Sequence, residues 1–365
     1  MLHLFYLLLS GVVLLAPLNS TAQTKSFSIG GVFGLTGDAA TFGHEELNAA
    51  QLAIDEINQQ GKIHLTLTIE DSGSTGLGTV NAVKKLVDLD GIKIILGPTW
   101  LDTFQGCLPI MDKRGVLAIS PSASIPIIKK SPSQYPLVFS TYFNFQREVT
   151  SLIESASRRG LKRMTILCDQ DPYFVEMRRV ALAAAANASL DIVGDSEFSS
   201  GETDFRSLII KAQHNQSNAL LFASANQASA LAFMKQRSQL APQLTVLGSH
   251  DFEGYERDPS FNGILKRTLY MAPEKPSKEF VAKYQARYST PPIMTASNSF
   301  DAIMLVSKAL SSGAETPEQI AVYLRQNEHT SQTFGMIRFS PDGGIESGNF
   351  IAQGSLAKEV QESAR

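Results

Sequence analysis

The chain has 365 residues, enough for about two domains at roughly 150 residues each. Hydrophobic residues make up 43% and charged residues 18%, so substantial cores can form and a disordered chain is excluded. The 32 Lys+Arg against 35 Asp+Glu, without a block of like charge, leave no nucleic-acid footprint and no basic membrane face; two cysteines exclude a disulfide scaffold and a zinc site built on three or four thiolates.

Phe5 to Leu18 is almost unbroken apolar sequence, about 14 residues against the roughly 20 that a spanning helix needs. Ser20-Thr21-Ala22 follows with small residues, so the segment reads as a secretory signal peptide cleaved near Ala22, although its n-region offers only His3. An uncleaved anchor is the competing reading. The mature chain is expected to be exported and soluble.

Strands and helices then alternate. Ile29–Phe33 reads as a strand, Glu45–Asn58 as a helix ended by Gly61, Leu65–Ile69 as a strand and Thr79–Leu89 as a helix. Strand Ile92–Leu96, helix Asp102–Lys113 and strand Val116–Ile119 complete a first α/β half. The Ser- and Pro-rich stretch Ser131–Pro136 looks like a boundary, after which the pattern restarts. Helices Arg147–Arg159, Phe174–Ala186, Asp204–His214 and Gln227–Gln236 lead to strands Met164–Cys168, Leu190–Val193, Ala219–Phe222 and Leu244–Leu247. Such alternation means βαβ units and mostly parallel sheets covered on both faces. After Pro276 three helical stretches run in succession, at Glu279–Tyr288, Ser297–Leu310 and Pro317–Arg325. Two late strands, Gly335–Phe339 and Asn349–Ala352, flank Ser340-Pro341-Asp342-Gly343-Gly344, a hairpin-loop signal.

Catalytic and cofactor motifs are missing. The first strand is followed by Gly34-Leu35-Thr36-Gly37-Asp38 rather than G-x-G-x-x-G, and no P-loop or G-x-S-x-G elbow occurs. His44-Glu45-Glu46-Leu47-Asn48 begins like H-E-x-x-H, but Asn48 replaces the second ligand. No cofactor and no metal are expected.

Several segments carry a family likeness. Leu35-Thr36-Gly37, Phe42-Gly43, Asn48-Ala49-Ala50, Ala53-Ile54-Asp55-Glu56-Ile57-Asn58 and Gly61 together resemble the opening of the periplasmic receptors for branched-chain amino acids that serve ABC importers. Ile95-Leu96-Gly97-Pro98, Ile119-Ser120-Pro121-Ser122-Ala123-Ser124 and Asp169-Gln170-Asp171-Pro172-Tyr173 resemble three later blocks of that family. The resemblance implies an α/β type I periplasmic binding protein, with two Rossmann-like lobes joined by three crossovers around a ligand cleft. The first lobe is then expected to hold residues 24–140 plus 273–334, and the second 141–272 plus 335–353, with crossings near Ser140, Ala272 and Phe334 and a tail over 354–365. Cys107 and Cys168 fall on different lobes, so both are expected to be free and buried.

An amino acid offers a carboxylate, an ammonium and a side chain. The carboxylate needs hydroxyls and backbone N–H groups, best at helix N-termini; the resemblance assigns this to Ser122 and Ser124. In the loop after Gly97 this chain has Trp100 and Leu101 where the family usually has Ser or Thr. There Thr99 is the substitute, or Trp100 walls the cleft. The ammonium needs an acceptor, and Asp251 is the candidate, with His250 its competitor by one position of register. By the same resemblance Tyr173 contacts ligand and Phe42 lines the side-chain pocket. The expectation is a monomeric periplasmic receptor that binds a small amino-acid-like solute, does no chemistry, contacts no nucleic acid and meets an ABC permease in the inner membrane. The alternatives are a sensor subunit of the same fold and a secreted two-domain α/β enzyme.

Overall fold

A computed structural model of the protein describes residues 24–125, 129, 131, 133–346 and 350–357. The signal-peptide expectation and most of the tail lie outside the described residues.

The first sheet has the order β2-β1-β3-β4-β5, all parallel. Its strands are β1 (Lys25–Phe33), β2 (Ile63–Asp71), β3 (Ile94–Leu96), β4 (Leu117–Ser120) and β5 (Val138–Ser140). β3, β4 and β5 are buried on both faces, which is why their sequences run apolar without alternation, whereas edge strand β2 alternates. Helix α1 (Ala40–Gln60) buries Ala49, Ala50, Ala53, Ile54 and Ile57 and ends at Gly61 in the left-handed region. α2 (Gly76–Lys84) follows.

The helix expected over 102–113 is two short ones, α3 (Leu101–Gln105) and α4 (Leu108–Lys113). Pro109 lies in the first turn of α4, where its missing N–H is tolerated; further inside a continuous helix it would cost a backbone bond. Strand β5 follows the Ser- and Pro-rich stretch, so the first sheet continues past it.

The second sheet has the order β13-β10-β9-β8-β6-β7. It comprises β6 (Arg163–Asp169), β7 (Asp191–Phe198), β8 (Ala219–Ala223), β9 (Thr245–Gly248), β10 (Thr268–Pro273) and β13 (Phe350–Gln353). All run parallel except β13, which pairs antiparallel with β10. Its helices α5 (Phe145–Arg158), α6 (Pro172–Asn187) and α8 (Gln227–Leu240) start on Asn144, Asp171 and Asn226, each accepting a backbone N–H of the first turn; α7 (Arg206–His214) lies between the latter two. α9 (Phe252–Arg257) and β10 carry no strong sequence period and were not anticipated.

After β10 the chain returns. α10 (Lys278–Tyr288) and α11 (Met294–Ser311) pack on α1, and α12 (Pro317–Gln326) reaches β4. The late strands do not form the expected hairpin. β12 (Gly335–Ile337) pairs with β11 (His329–Ser331), the 340–344 loop closes on a single Phe339–Ile345 bridge, and β13 joins the free edge of β10. An open sheet edge offers a row of unpaired backbone groups, and four residues of β13 satisfy them there. The passage to the second sheet also comes later than Phe334. Phe339 still meets Phe139 edge to face at 5.3 Å, and the Gly343 carbonyl accepts from the Ser140 N–H at 2.9 Å.

Gly43 lets α1 pass over the end of β1: a Cβ there would lie 2.1 Å from the Gly34 carbonyl oxygen. Gly43→Ala should lower stability by about 1–3 kcal/mol through overpacking, read as a reduced urea midpoint. Cys107 and Cys168 are both free and buried, with burial pushing each thiol up to about 12. Titration of denatured, unreduced protein should find two thiols per chain, with slow reaction before denaturant is added; a finding of none would contradict it.

Candidate functional site

In open parallel sheets, ligands sit beyond the carboxyl ends of the strands, on the loops that follow them. β1, β3 and β4 end side by side. Gly97 turns the loop after β3 with φ +100, and a Cβ there would lie 2.3 Å from the Val32 carbonyl oxygen, so glycine is required for this close passage. Trp100 follows with φ +68. Its N–H donates to Ser122 Oγ at 3.0 Å, which ties the loop after β3 to the loop after β4. The Trp100 ring meets Phe42 edge to face at 5.6 Å, and Phe42 is 37% exposed at the start of α1. These two rings form an aromatic wall on the first lobe.

Thr99 is not free to meet a solute. It is wholly buried, donates to Glu46 Oε2 at 2.6 Å and accepts from the Gly34 N–H at 3.2 Å. Its hydroxyl is spent inside the lobe, which corrects the expectation that it replaces the usual carboxylate-binding hydroxyl. Ser122 remains half-buried at the loop surface, whereas Ser124 is buried with an unpartnered Oγ.

On the second lobe the loop after β9 carries Ser249, His250 and Asp251. Ser249 donates to Asp251 Oδ2 at 2.6 Å, and the Asp251 side chain is 29% exposed. His250 presents both its N–H and its Nδ1 to Glu148 Oε1, at 2.9 and 3.1 Å. Its Nε2 lies 3.4 Å from the Tyr142 hydroxyl and 3.9 Å from Asp251 Oδ1. Glu148 sits in the first turn of α5, where the helix dipole favours a carboxylate. Burial opposes charge on His250, but Glu148 and Asp251 outweigh it and push the imidazole up to about 9. Tyr173, in the first turn of α6, packs its ring against Phe145 at 4.7 Å and a 57° tilt, with its buried hydroxyl beside that of Tyr142.

The structure therefore groups Phe42, Trp100 and Ser122 in one half-site and Tyr173, His250 and Asp251 in another. His250 and Asp251 do not compete for one role: the imidazole turns inward to Glu148, while Asp251 keeps the more exposed carboxylate. Sequence reasoning missed Glu46, Tyr142, Glu148 and Ser249. Glu46 was detectable in principle, because it interrupts the buried stripe of α1 three residues before Ala49. Glu148 shows only as an ordinary first-turn acid. Among the described residues no group of three or more His, Cys, Asp or Glu is placed to hold a metal, and no helix is long and apolar enough to cross a membrane.

The family model described as periplasmic binding protein matches residues 26–358. The chain belongs to the periplasmic binding protein family. This binding protein is 24% identical to a Leu/Ile/Val-binding protein of Rhizobium johnstonii over 340 residues, which span 88% of this chain and 90% of the relative. Its fold matches that of an ABC transporter substrate-binding protein of Desulfitobacterium hafniense in complex with Leu, with TM-score 0.77 and 19% identity over 90% of this chain and 97% of that one. A solute-binding protein of an ABC transporter from R. palustris, in complex with 4-hydroxybenzoate, matches with TM-score 0.77 and 15% identity over 90% and 93%. The relatives are binding proteins, not enzymes, and this chain is a solute-binding receptor of the kind that works with ABC transporters.

His250 makes stability depend on pH in a definite direction. With the folded value raised to about 9 from 6.5, its contribution is complete below pH 6.5 and disappears as pH rises through 9. The stability difference between wild type and His250→Gln should therefore shrink between pH 6.5 and 9, by on the order of 1–3 kcal/mol. Chemical denaturation of both proteins across that range checks it; a constant difference would mean that the imidazole is neutral in the folded protein.

Proposed function

We propose that the protein is an exported receptor that captures a small carboxylate solute, an amino acid first among them, between its two lobes and delivers it to an ABC importer. Asp251 carries the reading: a partly exposed carboxylate at the end of a parallel strand, held by Ser249 and beside a paired His250, suits an ammonium. Opposite it, Ser122 and the backbone N–H groups of the 121–124 loop are the candidates for the solute carboxylate, with Phe42, Trp100 and Tyr173 around the side chain. The lobes, residues 24–140 with 273–345 and residues 141–272 with strand β13, would close on the solute and present the closed form to the permease. Cleavage of the leader near Ala22 belongs to the same reading. The solutes named for the relatives, Leu, Ile and Val, and 4-hydroxybenzoate set the first screen.

A solute at about 100 times its dissociation constant should stabilise the protein by roughly 2.7 kcal/mol, visible as a raised melting temperature. Asp251→Asn should weaken an amino acid by about 1.5–3 kcal/mol, or roughly 10- to 150-fold, while leaving 4-hydroxybenzoate unaffected. Isothermal titration with both solutes checks this. Equal affinity of wild type and Asp251→Asn for the amino acid would remove Asp251 from the site.

A further inference from the structure

Glu46 is wholly buried on α1, yet its carboxyl group holds the loop after β3, which is itself tied to the loop after β4. Thr99 of the loop after β3 donates to Oε2 at 2.6 Å, Oε1 has no partner, and the Trp100 N–H ties that same loop to Ser122 Oγ of the loop after β4. Among the described residues, the elements packed around it supply hydroxyls and amides but no cation. From α11, Ser299 donates to the Glu46 backbone carbonyl at 2.7 Å, and Asn298 donates to the Pro121 carbonyl at 3.0 Å. Of the carboxyls on the same two helices, Glu45 bonds the Tyr284 hydroxyl and Asp301 bonds Ser331. His44 lies on the exposed side of α1. A buried carboxylate without a cation is strongly disfavoured, so the group keeps its proton.

We propose that Glu46 is the positioning residue of the first half-site: its neutral carboxyl group holds the 97–100 loop through Thr99, the Trp100–Ser122 bond passes that hold to the 121–124 loop, and ionisation opens the packing because, although Thr99 still bonds Oε2, the charge at the unpartnered Oε1 must be hydrated. A charged Oε1 needs donors that the closed packing does not offer, so water or new amides must reach it, and the Thr99–Trp100 turn is the cover that has to shift. Burial raises the Glu46 carboxyl to about 8, with the Thr99 hydroxyl bond opposing, which puts the release at mildly alkaline pH. The clamp and its proton stand without any solute; only the consequence, weaker capture at alkaline pH, rests on the proposed function.

Trp100 is the single tryptophan of the chain and belongs to the clamped loop, so its emission reads this site directly. Ligand-free wild type titrated from pH 6 to pH 10 should show one step in emission near pH 8. Glu46→Gln should keep the pH 6 emission and lose the step, and Glu46→Ala should show disturbed emission at every pH. Lys129 and Asp301 also titrate in this lobe, at about 8 and about 7, and His250 in the other at about 9; all three remain in Glu46→Gln, so a step that persists there overturns the proposal. A wild type with flat emission overturns it too. If Glu46→Gln does not fold, Thr99→Val takes its place: losing one donor should move the step to higher pH, and an unmoved step refutes the clamp. Failure of leucine or 4-hydroxybenzoate to bind would count against the proposed function alone, since no solute enters the emission titration.

Discussion

Helix α11 faces water only along a narrow stripe of Met304, Lys308 and Ser311. Fourteen of its eighteen residues are buried, including Ser297, Asn298, Ser299 and Asp301, so it must be enclosed by apolar surface and given polar partners at the same time. The first lobe provides both. α1 offers a small-residue stripe of Ala49, Ala50 and Ala53, while the Pro121 and Glu46 carbonyls, Thr333 and the 331–332 turn take the polar groups. Because α11 lies late in the sequence, this burial forces the chain back from the second sheet to the first. The multiple crossings are a consequence of satisfying one helix. The same helix fastens α1 and the loop after β4, and so fixes the floor beneath the candidate site.

The two half-sites are built on different electrostatics. In the first, a buried carboxyl group has a hydroxyl partner at Oε2 and, among the described residues, no cation. In the second, Glu148 and Asp251 flank an imidazole whose charge they stabilise. Two carboxylates about one imidazolium leave net negative character, whereas the first half-site offers donors and aromatic faces. On the proposed function, such a contrast would suit a solute with an acidic and a basic end.

The connection between the lobes is polar and tightly specified. Lys129 is buried, donates to the Val138 carbonyl at 2.8 Å and also reaches the Asp342 carbonyl. Burial first, and the charge of Arg325 second, push its ammonium down to about 8, with Asp342 opposing. Arg325 itself lies over the Phe139 ring at 4.5 Å. Gly343 approaches β5 so closely that a Cβ would fall 2.3 Å from the Val138 carbonyl oxygen. These contacts hold the late 338–345 segment against the first sheet before β13 crosses to the second.

The sequence by itself determined the repeating βαβ order, the two α/β halves and the family, because apolar periodicity and the 29–63 block are local properties of the chain. The positions of Trp100, Ser122, Tyr173 and Asp251 after strands or at helix starts were legible for the same reason. Only the tertiary structure decided what their polar atoms face. Thr99 reads as an exposed loop hydroxyl until Glu46, 53 residues earlier, is brought against it; His250 and Asp251 read as rivals until Glu148, about a hundred residues away, claims the imidazole. The late strands read as a hairpin because their loop residues are right, yet pairing depends on which sheet edges are free, and β10 and β11 were nearer partners. Hydrogen bonds and buried charges are pairings across long stretches of chain, and one-dimensional pattern carries no record of the partner.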